Sequence, residues 1–489
     1  MKQKRQFKIY FSDFFDVSPS VIEEHGAFDI SLLNDLPLFI DPFLLFNSEN
    51  SKYRDLHGEI IRYMVFLKDQ SLNDLKPGLV KSWFHFPEVR QNWLGFSKTG
   101  NGGRGLGADF AKSLKKNFTT IFSDFGNEKD THTHLGKLTL IKNGVGKDNI
   151  SDFTCNLIKG FLAEYTQDFA EKNIHPSKLG IFPIDKTGFN YETMTWSSKR
   201  YKLPKFGGDY VLLTPVDILT KDEAWISHNG FVEDFSSVLQ SVGNSTLRTQ
   251  MENYLVSKLP VEANKASYEA AVEKTVREYP ELLDLYIKIK ENSGKEAEHT
   301  SAGKVKAAQE IFVKHLRRLI SLLDGTQFYD IGTNSYEEGM RRIKFLKHVI
   351  EKQDGYKVFY LNGKPISRES DLQIMFKLTW FASAFSSDAE VNNGRGPSDF
   401  LVSYGSADKS IIEFKLAKNS QLEKNLKNQA EIYADASRAT HPPIKVILYF
   451  SQKELEKVKV ILSRLKLDTS KEIILIDATH KSSASKASS

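Results

Sequence analysis

The sequence has almost no cysteine: Cys155 is the single one in 489 residues. A lone thiol forms no intrachain disulfide, fits a reducing compartment, and excludes a structural zinc site built from cysteines. Long apolar runs are also missing. The most hydrophobic short stretch, residues 36–46 (LPLFIDPFLLF), contains Asp41 and two prolines. It is far shorter than the roughly 20 residues a spanning helix needs, so no membrane is expected as a partner. The first residues, MKQKRQFKIYF, are basic and then strand-like, without a small-residue cleavage site; a cytoplasmic location is expected. Charge of one sign is not in large excess. The net charge of +5 tolerates a polyanionic partner without requiring one. Familiar nucleotide and hydrolase signatures are absent. Residues 100–107 (GNGGRGLG) lack the order of a phosphate-binding loop. In residues 144–152 (GVGKDNISD), Gly146-Lys147 is followed by Asp148 rather than Ser or Thr, and no Gly-x-Ser-x-Gly elbow occurs.

What is present is the composition of a globular protein, 40% hydrophobic and 26% charged, in a chain too long for one core. The fold class expected is α/β, in two or three domains. Residues 1–245 read as a mixed α/β domain suited to sensing, partner binding or DNA positioning. In it we expect a strand at 7–11 and a helix at 53–67. A loop at 100–107 should feed a helix at 108–122, with a strand at 138–141. Ser151 should cap a helix at 152–169, and a buried strand should follow at 210–213. His132 and His134 read as exposed loop residues. In residues 246–350 alanine, glutamate and lysine rise while glycine and proline thin out. This is a helical middle region, with helices at 282–289, 304–323 and 336–351 and a polar exposed loop at 291–303. Its basic side (Lys314, Arg317, Arg318, Arg341, Arg342, Lys344) reads as a solvated face. Residues 351–480 return to strand–helix alternation, and 481–489 form a polar tail.

The chemistry concentrates at residues 394–433. Residues 400–404 and 410–416 form a hairpin pattern around 405–409. In the second strand Ile412, Phe414 and Leu416 point one way, and Glu413 and Lys415 the other. A hairpin symmetric about Ala407 puts Asp399 across from Lys415, with Glu413 diagonal to it. Such neighbours lie roughly 5–8 Å apart at Cβ, so both carboxylates can reach one cation beside the ammonium. Paired carboxylate oxygens suit Mg²⁺ or Mn²⁺. The Asp…[Asp/Glu]-x-Lys spacing alone arises by chance about twice in a chain of this size; the shared strand face carries the argument. The following helix, 421–438, opens with Ser420-x-x-Glu423. Its inward side holds Leu422, Leu426, Gln429, Ala430 and Tyr433.

These residues resemble the PD-(D/E)XK nuclease superfamily, the restriction-endonuclease-like fold, in its RecB-like QxxxY variant. Pro397, Ser398 and Asp399 match the PD element, with Ser398 intervening; Glu413, Phe414 and Lys415 match ExK; Gln429 and Tyr433 match QxxxY. The resemblance covers about a quarter of the chain, residues 371–477. It implies a restriction-endonuclease-like αβ core in the C-terminal domain. It also implies Asp399 and Glu413 as metal ligands, Lys415 as catalytic, and Gln429 and Tyr433 as supporting the site. Many relatives add an upstream acidic residue, here Glu390 or Glu369, of which Glu390 is nearer in sequence. The implied activity is a Mg²⁺- or Mn²⁺-dependent phosphodiesterase: a DNA endonuclease, with RNA the other polyanion to consider. By analogy it would be an effector of bacterial anti-phage defence or restriction, with a protein partner or oligomer engaged through the N-terminal or helical region. The alternative is a catalytically inactive nucleic-acid-binding or assembly subunit with the same fold.

Overall fold

In the computed structural model, residues 7–95, 124–140, 147–324, 326–330, 333–381, 399–404, 408–427 and 441–481 are described. The chain is mixed α/β, with eleven described strands in four sheets. The strands are β1 (Leu38–Ile40), β2 (Leu179–Asn190), β3 (Thr195–Phe206), β4 (Asp209–Tyr210), β5 (Leu219–Lys221), β6 (Tyr360–Leu361), β7 (Lys364–Pro365), β8 (Asp399–Tyr404), β9 (Asp408–Leu416), β10 (Ile444–Tyr449) and β11 (Ile473–Asp477). No described helix is long and apolar enough to cross a membrane.

The N-terminal region departs from its sequence pattern in five places. The buried strand expected at 210–213 stops at Tyr210, the end of β4; residues 211–213 are buried but belong to no strand. Residues 7–11 do not form a strand. The Asp13 carboxylate accepts from the backbone N–H of Ile9 and Tyr10 at 3.1 and 2.9 Å, and the helix Phe11–Phe15 starts at once, leaving Tyr10 a single bridge to Ser31. Residues 135–139 form a 3₁₀ turn, closed by the Thr139 hydroxyl donating to the Gly136 carbonyl at 2.7 Å. The expected helix 152–169 is two helices, Lys147–Leu157 and Lys159–Asn173. Ser151 lies inside the first; its Oγ accepts from the Ile40 N–H at 3.0 Å instead of capping. The long β2–β3 hairpin had no alternation to betray it, because most of its residues are half-buried or exposed on both faces. The helix expected at 53–67 is present as Ser51–Ser71, capped by Asn50. The expected elements at 100–107 and 108–122 lie outside the described residues.

The middle region is helical. The stretch expected as a polar loop at 291–303 is mostly helix, Gly294–Gln309, with Gly294, Ala297, Ser301, Val305 and Ala308 buried along one side. Small residues at three- and four-residue spacing let this helix lie close against β5 and the helix Pro42–Asn47. Half of the expected basic side (Arg317, Arg341, Arg342) is turned to internal partners, and Lys314 is exposed in a surface pair. Arg317 pairs with Asp13 at 2.7 Å, Arg342 with Glu338 at 2.7 Å and Lys314 with Glu310 at 3.2 Å, and Arg341 bonds the Asp330 carbonyl; Arg318 and Lys344 are exposed. The helix Leu316–Leu323 packs on the helix Glu369–Phe381. One hydrophobic cluster therefore runs from Ile9 to Ala478 through all three regions.

At the C-terminal end the sheet has the order β11-β10-β9-β8. β8 and β9 are antiparallel, whereas β9, β10 and β11 are parallel. One face packs under the helices Ser335–Lys352 and Glu369–Phe381; Phe414 stacks on Phe376 at 4.0 Å. On the other face Ile447 joins Leu422, Leu426, Val458 and Leu462 in a separate cluster. Asn334 caps Ser335–Lys352, and Ser451 caps Gln452–Arg464, each placing a side-chain oxygen on an otherwise unpaired N–H.

Candidate functional site

Strand β9 is interior to its sheet, between β8 and β10. Its alternation sends Ile412 and Phe414 beneath the helices and turns Glu413 and Lys415 to the opposite face. That opposite face is also covered. Glu413 is 3% and Lys415 2% exposed, so the pair is not a solvated one. Residues 422–427 are helical, and Leu422 and Leu426 cover this side of the sheet. Lys445, in register with Glu413 on β10, donates its ammonium to the Leu426 carbonyl at 3.1 Å.

The register of the hairpin corrects the expected one. Asp399 lies across from Glu413, and the last pair is Tyr404 with Asp408; Lys415 is therefore the diagonal neighbour. The reason is at the start of β9. The Asp408 carboxylate accepts from the Ser335 N–H at 2.9 Å and from its hydroxyl at 2.6 Å, and meets His441 Nε2 at 2.9 Å. Asp408 is thereby held as the first residue of β9, two positions earlier than the strand expected from sequence. Burial would push the Asp408 carboxyl up, but the Ser335 hydrogen bonds and His441 hold it below the usual carboxylate range. Because the shift is even, Asp399, Glu413 and Lys415 keep a common face. Directly opposed residues sit about 5 Å apart. At Asp399 the backbone alone is described.

The second carboxylate that reaches Lys415 is Glu369. Its Oε1 lies 3.3 Å from Lys415 Nζ, and Glu413 Oε1 lies 2.8 Å from the same nitrogen. Glu369 Oε2 accepts from the Leu416 N–H at 3.1 Å and from Asn419 Nδ2 at 2.9 Å. Glu369 opens the helix Glu369–Phe381, so a helix start and a strand end meet at one ammonium. Burial alone would pull the Lys415 ammonium down; Glu413 and Glu369 outweigh it and hold its pKa above the ordinary lysine value. Glu413 Oε1 is buried and, among the described residues, accepts no well-aligned hydrogen bond beyond this ion pair. Such an oxygen fits a hard cation, and carboxylates are the donors Mg²⁺ and Mn²⁺ take. Among the described residues, no group of three or more His, Cys, Asp or Glu is arranged to hold a metal.

Of the site residues expected from sequence, the structure brings Glu413 and Lys415 together, with the Asp399 backbone in register. Glu390, Gln429 and Tyr433 lie outside the described residues. Sequence reasoning ranked Glu369 second, and it missed Asn419, whose amide fixes Glu369; no local pattern marks that contact. His132 is exposed, as its sequence setting suggests, but His134 was misread. His134 is 1% exposed, its Nε2 is 2.9 Å from Glu291 Oε1, and its ring meets Phe46 at 4.6 Å and His57 at 5.6 Å. His132 Nδ1 reaches the same Glu291 oxygen at 3.2 Å. Burial pulls His57 down to about 3 and lowers His134 as well.

Comparison with known families gives two matches. Residues 16–227 match the family described as Domain of unknown function (DUF8370), and residues 335–452 match Domain of unknown function (DUF8371). The first takes in β1 to β5. The second begins with the helix that anchors Asp408 and includes β8, β9, β10 and Glu369. No curated protein and no solved structure matches the chain.

Proposed function

We propose that the chain is a metal-dependent nuclease, with its active centre at Asp399, Glu413, Lys415 and Glu369 in a restriction-endonuclease-like domain. The observation that supports this best is the buried pair Lys415–Glu413 at 2.8 Å joined by the half-buried Glu369 at 3.3 Å, with Asp399 in register across the hairpin. Burying the two ionised groups Glu413 and Lys415 costs several kcal/mol per ion before their attraction repays it, so a cluster of this kind is a functional-site candidate. Asp399, Glu413 and Glu369 are the residues that would hold Mg²⁺ or Mn²⁺. When bound, such an ion polarises a phosphodiester and acidifies water. Lys415 stays charged across the neutral range and presents an ammonium where phosphoryl charge develops. Asn419 and the Leu416 N–H fix Glu369 and leave its other oxygen for the centre.

The substrate class we favour is DNA, and the biological role a bacterial anti-phage or restriction effector in the cytoplasm. Incubating the full chain with supercoiled plasmid tests the reading. Nicking or cutting should require Mg²⁺ or Mn²⁺, stop with EDTA, and vanish in the triple variant Asp399→Ala, Glu413→Ala, Lys415→Ala. Equal cleavage by the triple variant would show the assignment to be wrong. Salt-sensitive DNA binding with no cleavage in any divalent ion would assign the chain instead to inactive binding subunits of this fold.

A further inference from the structure

The helix that supplies Glu369 is gripped at its first turn by the N-terminal region. Lys221, the last residue of β5, places Nζ 2.7 Å from Asp371 Oδ2, and both side chains are 7% exposed. The next residue, Asp222, pairs with Arg368. Two consecutive residues thus hold the positions on either side of Glu369. Asp222 adopts φ +79°, a left-handed conformation that non-glycine residues rarely adopt and that aspartate tolerates better than most. The turn it makes aims its carboxylate at Arg368 while Lys221 points to Asp371.

The grip is anchored behind as well as in front. β5 pairs along its length with β1. The Ser301 hydroxyl donates to Thr220 Oγ1 at 3.3 Å, and the Lys221 ammonium lies 5.1 Å from the centre of the Phe312 ring. In front, Glu369 has its three contacts to Leu416, Asn419 and Lys415. The helix start is therefore a rigid link between β5 and the C-terminal end of β9.

We infer that Lys221 and Asp222 are positioning residues: they set Glu369 against Lys415 and couple the geometry of the site to the state of the N-terminal region. The consequence for catalysis rests on the nuclease reading; the mechanical link does not. A partner or ligand that shifts β1 and β5 moves Glu369 relative to Lys415 and so loosens or tightens the centre.

The test uses Arg368→Gln and Asp222→Asn in the full chain. These side chains are 48% and 20% exposed, so neither change strands a fully buried charge. Hydrogen exchange read by mass spectrometry should rise at least fivefold over Leu416–Asn419, whose amide Glu369 holds, while β10 stays as in the wild type. The conservative variant Arg368→Lys, which keeps a cation opposite Asp222, should keep exchange slow. In Mg²⁺-dependent plasmid cleavage the single variants should need at least threefold more Mg²⁺ for half the maximal rate. Unchanged exchange at Leu416–Asn419, or a rise spread over the whole chain, would overturn the link. Cleavage that survives Lys415→Met would sink the nuclease reading separately, leaving the exchange result to decide the coupling.

Discussion

Lys415 decides most at the residue scale. Its ammonium is the counter-charge for two carboxylates, and removing it leaves Glu413 and Glu369 facing one another. Lys415→Met keeps the length and apolar stem but should cost about 3 kcal/mol, the usual penalty for orphaning a buried partner. Urea unfolding at pH 7 measures it; a loss under 0.5 kcal/mol would mean the pair is solvated. The pH dependence has a definite sign. A lysine whose folded pKa is raised contributes stability that is fully present below its unfolded value of 10.5 and lost only as pH climbs past it. Lys415 should therefore add no slope between pH 6 and 9. Asp35 behaves in the opposite way. It is buried, with both carboxylate oxygens lacking a hydrogen-bond partner among the described residues, and burial, with Glu88 nearby, pushes it up to about 8 from 3.8. Its contribution is favourable below about pH 4 and is lost as pH rises through 8. Asp35→Asn should match wild type near pH 4 and gain melting temperature over it steadily up to pH 8. A constant difference across that range would contradict the burial of the charge.

At the scale of elements, close approach between helix and sheet is the sharpest constraint. Gly339 sits where the helix Ser335–Lys352 crosses the C-terminal sheet. A Cβ there would come within 3.0 Å of Ile412 Cδ1 and 3.3 Å of Ile444 Cδ1. Gly339→Val should destabilise by about 1–3 kcal/mol, as overpacking does; an unchanged urea midpoint would show that the helix can lift. The same helix explains what the sequence could and could not say. Helices with apolar residues every third or fourth position, such as Ser51–Ser71 and Gln452–Arg464, were legible because their burial follows that period. The parity of Glu413 and Lys415 was legible for the same reason, since strands alternate strictly. The register was not. It depends on Asp408 being captured by Ser335, a residue far away in sequence. Likewise Glu369 could be named but not preferred over Glu390, because its place is fixed by Asn419 and the Leu416 N–H. The hairpin β2–β3 stayed unread because neither face is consistently buried.

On the scale of the whole molecule, the three regions share one core, and charged pairs tie them together: Arg317 to Asp13, Lys221 to Asp371. The segment matching the second family is thus not self-sufficient in its contacts. Residues 335–489 produced alone should lose cooperative unfolding, because Asp371 loses Lys221 and the helix Glu369–Phe381 loses its cover from Leu316–Leu323. A urea transition as steep as that of the full chain would contradict this. The central claim is that the Glu413–Lys415–Glu369 cluster is the proposed nuclease's centre. The rate of Mg²⁺-dependent plasmid nicking by Glu413→Gln, against wild type at equal concentration, tests it most directly. Glu413→Gln keeps size and polarity while removing one ligand charge. The expected result is a loss of at least about 100-fold, the scale on which single charge-stabilising groups act, with wild-type circular dichroism. Nicking within twofold of wild type would contradict the claim.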